Sequence, residues 1–251
     1  MHMADALLTP AVAGVMYAAS AVVAGASIVE LHKEEKQDLT SAAKKLPTMA
    51  VMSALVFAGQ MINYTIPGTG SSGHLCGGLL LTSVLGPWAG FLSMIVILTI
   101  QSLFFADGGL MALGANVWNL AFYGCIEEQQ HRCGCVLTLQ LGAFSVVLET
   151  TLSGITDLPF GAFCAIMQPI HLAIGLIEGL ITAAVLLFLY EARPELLRQT
   201  SPIAMPMSRY KIVHAMGNPR RNAAAAWLSA PYLLWLLFAA YLNLGIWLLN
   251  Q

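Results

Sequence analysis

Apolar residues along this chain gather into long runs separated by short polar breaks. That is the pattern of membrane-crossing helices rather than of two-faced soluble ones. The first run covers 10–29 and gives way to the charged stretch His32-Lys33-Glu34-Glu35-Lys36-Gln37-Asp38, which reaches Lys44-Lys45. The second, 46–66, stops at Pro67-Gly68-Thr69-Gly70-Ser71-Ser72-Gly73, a turn-rich composition. The third, 74–85, falls short of the roughly 20 residues a crossing needs and predicts a short or partly re-entrant helix before Gly86-Pro87. Runs at 88–106, 110–126, 135–155 and 166–190 predict further helices, with Asp107-Gly108-Gly109 as a tight break after the first of them. A polar stretch, 191–222, precedes a last run at 227–249.

Composition agrees. Of 251 residues 58% are hydrophobic and only 10% charged, with a mean hydropathy of +0.74. Soluble domains carry about 25% charged residues, so this chain cannot cover a water-facing surface. Disorder and a disulfide-rich secreted module are excluded. A net charge of −2 gives no field for polyanions, and no nucleic-acid partner is expected. The fold class predicted is all-α, a polytopic membrane protein of seven to eight transmembrane helices set in a lipid bilayer.

Basic residues orient it. With the N-terminus outside, all eleven lie inside, namely Lys33, Lys36, Lys44, Lys45, Arg132, Arg193, Arg198, Arg209, Lys211, Arg220 and Arg221. The outer loops then carry only Asp5, Asp107 and Asp157. Eight crossings preserve this asymmetry, and removing the short third span would split it. The first run lacks a basic leader and a clear cleavage site, so it is expected to persist as a helix that keeps Met1.

This topology puts Met1-His2 and the loop ending at Gly73-His74 on the same outer side. Methionine before a bulky second residue is generally retained, which leaves a free α-amine. That amine, the residue-2 backbone nitrogen and His2 Nδ1 can close a five- and a six-membered chelate ring on one ion. The backbone nitrogen must lose its proton, which Ni²⁺ and Cu²⁺ promote by favouring planar nitrogen donors. His74 offers a neutral imidazole for the fourth corner. The plainer alternatives are an idle histidine on a mobile terminus and a histidine satisfied within its own loop.

Four blocks together resemble the NikM/CbiM family, the substrate-binding membrane subunits (S components) of energy-coupling-factor transporters for nickel or cobalt. They are Met1-His2-Met3-Ala4-Asp5-Ala6-Leu7, Gly70-Ser71-Ser72-Gly73-His74-Leu75-Cys76-Gly77-Gly78, the stretch from Asp107-Gly108-Gly109 through Asn116-Val117-Trp118-Asn119, and His171-Leu172-Ala173-Ile174-Gly175-Leu176-Ile177-Glu178-Gly179. The resemblance implies ligation of Ni²⁺ or Co²⁺, as transported ion rather than cofactor, by the Met1 amine, the His2 backbone and ring nitrogens, and His74. It implies an S-component helical bundle with an extra N-terminal helix, in a multi-pass protein of the cell inner membrane. Its partners are a transmembrane coupling subunit, ATPase subunits and, as a further candidate, a small companion membrane protein. The organisation expected is a metal-binding membrane domain at 1–191, a cytoplasmic loop at 192–226 and a C-terminal transmembrane helix at 227–251. The last of these departs from the family's seven-helix pattern.

Other polar residues within the runs are candidates for support. Asp107, Asn116 and Asn119 are placed to hydrogen-bond His74 or the N-terminal segment, with helix-to-helix packing as the alternative. His171, Glu178 and Glu149 are intramembrane ionisable groups, either paired between helices or part of a site. Ala50, Ala54 and Ala58 form a small-residue stripe that, through the resemblance, is the candidate docking face for the coupling subunit. Gly14, Ala18, Ala21 and Gly25 form a second stripe, expected to pack the first helix on the core. His131-Arg132-Cys133-Gly134-Cys135 reads as a solvated loop rather than a metal tract. No Gly-x-x-x-x-Gly-Lys-Ser/Thr occurs, so ATP hydrolysis is expected of partners and the chain is not expected to be an enzyme. A membrane-embedded metalloenzyme built on His171, Glu178 and Glu149, and a self-sufficient secondary transporter, are the competing readings.

Overall fold

The structure is a computed structural model and describes residues 1–37, 39–127, 134–192 and 196–197. They belong to a compact unit, Met1–Arg198. The polar stretch and last helix expected beyond it, and the tract at 131–133, lie outside the described residues.

Helices dominate. After strand β1 (His2–Met3) and a single tight turn at Asp5–Leu7 come α1 (Pro10–Gln37), α2 (Leu39–Gln60), β2 (Asn63–Ile66), β3 (Ser71–His74), α3 (Gly78–Leu85), α4 (Pro87–Phe104), α5 (Leu113–Asn116), α6 (Cys135–Ser153) and α7 (Phe160–Ala192). From α5 the chain runs on, without a break, into a wider π-helical segment, Val117–Glu127. Pro10 and Pro87 open α1 and α4, where a missing N–H costs nothing. The core runs between α3, α4, the π segment, α6 and α7, around Phe91, Met94, Leu120, Leu139 and Phe163.

Two expectations change. Residues 63–66 form a strand rather than the end of the second helix, and a three-stranded antiparallel sheet, ordered β1-β3-β2, joins the helical body. Four described helices are long and apolar enough to cross a membrane: Pro10–Glu34, Pro87–Phe104, Cys135–Ser153 and Phe160–Ala192. The apolar part of α2 (Leu46–Gln60) and α3 are shorter. The sheet takes up the end of the second hydrophobic run and the first residue of the third, and among the described residues four spans are long enough; the run at 227–249 lies outside them.

The small-residue stripe on α1 also faces the other way. Gly14, Ala18, Ala21 and Gly25 are exposed, and the helix buries Ala13, Ser20 and Ser27 instead. Hydrogen bonding decides this face. The Ser20 hydroxyl donates to Gly114 O at 2.7 Å, and Tyr17 OH donates to Leu110 O. Gly114 lets the two backbones meet, because a Cβ there would lie 2.6 Å from Tyr17 N and 2.7 Å from Tyr17 Cα.

Gly114→Ala must therefore push α1 off α5, at an expected cost of about 1–3 kcal/mol. Thermal unfolding in detergent checks it, with Gly179→Ala, whose added Cβ meets open space, expected to leave the Tm unchanged or slightly raised.

Candidate metal centre

β3 is the central strand, and His74 is its last residue. β1 pairs with it in the register His2↔Ser72 and Met3↔Ser71, and β2 pairs Asn63 with His74. Directly opposed residues share a face, and alternation carries that face from Ser72 to His74. His2 and His74 therefore project from the same side, on adjacent strands. Their ring centres are 4.5 Å apart, with planes at 80°. The chain end is drawn in with them: the Met1 α-amine donates to Ser72 O and lies 3.3 Å from His171 Nε2. Met1, His2 and His74 are 1%, 3% and 2% exposed. The three positions singled out in the sequence thus share one interior space.

The polar atoms there are incompletely satisfied. His74 Nδ1–H donates to Leu75 O at 2.6 Å, which leaves Nε2 with the free lone pair, and Nε2 is buried with no hydrogen-bond partner among the described residues. His2 Nδ1 lies 3.1 Å from Asp107 Oδ1, yet neither His2 ring nitrogen makes an aligned hydrogen bond. Buried polar atoms without partners cost about 1–3 kcal/mol each. Burial also favours uncharged donors. It brings the Met1 amine down to about 5, against the opposing pull of Cys76 and Asp107. Desolvation lowers His2 despite Asp107 beside it, and lowers His74 further, with His2 and the amine adding to the effect. Burial pushes the Asp107 carboxyl up, but the adjacent His2 and His74 rings outweigh it and hold it at about 2. The site is one of neutral nitrogen donors bordered by one carboxylate.

Main-chain contacts hold β1 on its second edge. Asn116 Oδ1 accepts from Met3 N at 2.8 Å, Asn116 Nδ2 donates to Met3 O at 3.1 Å, and Gly109 N donates to the same oxygen at 2.9 Å. Asp5 Oδ1 accepts from Ala112 N at 2.9 Å. The loop over the site passes through Gly108 at φ +83, where a Cβ would come 2.8 Å from Asn116 Nδ2 and 3.2 Å from His2 Nδ1. Asn116 thus grips the N-terminal strand, Asp107 meets the His2 ring, and Asn119 reaches Met3 Sδ at 3.7 Å and Glu149 Oε2 at 2.9 Å.

The turn after His74 is held from two helices. Glu178 on α7 accepts from Cys76 N at 2.6 Å and Gly77 N at 2.9 Å. Gln60, at the end of α2, donates to Cys76 O at 2.5 Å and accepts from Gln101 at 2.9 Å. The two glutamines were legible only as amides inside apolar runs, a signal that sequence reading passed over. Glu178, Glu149 and His171 are each engaged with separate partners. Among the described residues no three His, Cys, Asp or Glu side chains converge in a metal-holding group. A centre at Met1-His2-His74 must therefore draw on main-chain nitrogens. On α2, Ala50 and Ala54 are exposed, while Met52, Val56 and Gln60 face the core.

Comparison with known proteins gives the same region. Residues 2–196 match the family model CbiM, described as the cobalt uptake substrate-specific transmembrane region. Residues 209–248, outside the described part, match the TspO/MBR family. A putative fused nickel transport protein, NikMN, of Archaeoglobus fulgidus is 38% identical over 79% of this chain and 68% of its own length. A putative metal transport protein of Haloquadratum walsbyi is 35% identical over 78% of this chain and 93% of its own. The crystal structure of a truncated transition metal transporter superposes with a TM-score of 0.64 at 28% identity, covering 76% of this chain and 99% of that one.

Glu178→Leu leaves two buried amide N–H groups without an acceptor, an expected loss of about 1–3 kcal/mol for each. Glu178→Gln keeps one acceptor oxygen and should lose less. The Tm of the metal-free protein measures both.

Proposed function

From its membership of the CbiM family of cobalt uptake substrate-specific transmembrane proteins, we propose that this chain is the substrate-binding membrane subunit of an energy-coupling-factor transporter, taking up Ni²⁺ or Co²⁺ from outside the cell. The observation that carries the reading is the buried, unpartnered Nε2 of His74 beside the His2 ring and a neutral chain-terminal amine.

The donors are the Met1 amine, the His2 backbone nitrogen, His2 Nδ1 and His74 Nε2. The first three form a tridentate chelate that spans three corners of a square, with the backbone nitrogen in the middle. His74 then stands opposite that nitrogen and next to the His2 ring. With metal–nitrogen bonds of about 2 Å, adjacent imidazoles on one ion have centres roughly 4–5 Å apart and opposite ones about 6 Å. The 4.5 Å separation fits adjacent corners.

Charge also balances. A divalent ion with one deprotonated backbone nitrogen retains a single positive charge, and Asp107 beside His2 supplies the compensating negative one. Binding exchanges the Nδ1 contact with Asp107 for the ion, the ring proton passing to Nε2 so that Nδ1 offers its lone pair, and releases the backbone proton to solvent. The neutral state that burial imposes on the amine and both rings means few further protons need be displaced.

The remaining roles follow the same reading. The N-terminus lies on the outer side of the inner membrane. The alanine stripe of α2, exposed Ala50 and Ala54 with half-buried Ala58, docks the transmembrane coupling subunit. ATPase subunits then supply the energy for release inward, and a small companion membrane protein assists.

Two glycines inserted before Met1 move the amine out of chelating reach of the His2 ring, whereas a single added residue would put that ring third from the terminus, where amine, two backbone nitrogens and imidazole can themselves hold Ni²⁺ in a plane. Replacing a merely supporting residue costs about 10–100-fold in metal affinity, so this insertion should cost about 100-fold or more. Competition with a chromophoric chelator measures it on the detergent-purified, untagged chain, and undiminished Ni²⁺ affinity would remove the amine from the site. His74→Ala should leave a weaker three-nitrogen site. In vesicles the chain alone should accumulate no Ni²⁺, and uptake driven by a proton gradient without partners would make it a secondary transporter instead.

A further inference from the structure

His171 lies outside the proposed ligand set, yet its Nε2 is 3.3 Å from the Met1 amine and the residue is fully buried on α7. Its other nitrogen is committed. Nδ1–H donates to Met167 O at 2.8 Å, one turn back along the same helix, so the ring is held in the tautomer whose Nε2 carries a lone pair. His171 therefore presents an acceptor to the chain terminus.

The amine can be accounted for bond by bond. To bind an ion it must offer its lone pair, and it then keeps two hydrogens in a space closed to water. Buried donors need acceptors, and two are present: Ser72 O and His171 Nε2. With Cα on the third direction of a tetrahedral nitrogen and the two hydrogens directed to these acceptors, a single direction is left for the lone pair. The sheet fixes one of the acceptors, since Ser72 stands opposite His2 in the β1–β3 register. α7 fixes the other.

We infer that His171 is a positioning residue for metal capture, which with the Ser72 carbonyl holds both hydrogens of the Met1 amine and so aims its lone pair at the ion. The inference rests on the amine being a ligand. His171 is not itself a donor to the ion, because its Nε2 is occupied by the amine and no third histidine side chain converges with His2 and His74 among the described residues.

The test uses length. Glutamine places an amide oxygen where Nε2 stands, whereas asparagine stops near the position of Nδ1. In the full, untagged chain, His171→Asn should weaken Ni²⁺ binding by about 10–100-fold, and His171→Gln should recover most of that loss. Metal-free Tm values report folding, and His171→Leu replaces the asparagine variant if the latter does not fold. X-ray absorption of the Ni²⁺-saturated asparagine or leucine variant should show as many nitrogen donors as the unmodified chain. Equal affinities for the glutamine variant and the shorter or apolar one, or unaltered affinity in the latter, would overturn the assignment. A lost nitrogen would overturn it too, by making His171 a ligand. The chain with two glycines before Met1 separates the two levels: if it binds Ni²⁺ undiminished, the amine reading itself has failed.

Discussion

A chain terminus carried into an apolar interior must find a partner for every N–H and C=O it brings with it. β1 meets that constraint with two residues: β3 lies along one edge, and the Asn116 amide with Gly109 N closes the other. The rest of the site depends on it. Once the strand is fixed, the His2 ring projects to the face that also carries His74, and the α-amine donates to Ser72 O and lies beside His171 Nε2.

The proposed donors Met1, His2 and His74 sit on or beside short strands, and the helices behind those strands hold them in place. The Cys76–Gly77 turn is held on its N–H side by Glu178 of α7 and on its C=O side by Gln60 of α2. The loop over the centre is tied down through Asp5 and Ala112. Such arrangements are expected where ligands must keep their direction before an ion arrives, because supporting contacts orient ligating groups. They also connect α2, whose Ala50 and Ala54 are exposed, to Cys76, two positions after His74.

Ionisable groups within apolar helices are costly unless paired. Here each is engaged: Glu149 with Asn119, Glu178 with two backbone amides, His171 with the terminus and Met167. Their engagement leaves main-chain nitrogens beside His2 and His74 in the proposed donor set, which suits an ion that tolerates planar nitrogen coordination.

Much was legible in the sequence. Long apolar runs mark α1, α4, α6 and α7, because burying or lipid-facing a helix requires apolar residues over its whole length. The Met1-His2 pair and His74 stand out because a free amine next to a histidine has chelating chemistry whatever the fold. The sheet did not stand out. β3 reads Ser-Ser-Gly-His and β1 is two residues long, so neither offers the alternation that betrays a strand. Their pairing joins segments far apart in the chain. The inward face of α1 was likewise set by Ser20 and Tyr17 reaching carbonyls of the loop and α5, rather than by its small residues. Local pattern determined which segments are helical and which atoms can bind an ion; only the long-range hydrogen bonds of the folded chain decided which of those atoms meet, and which way they point.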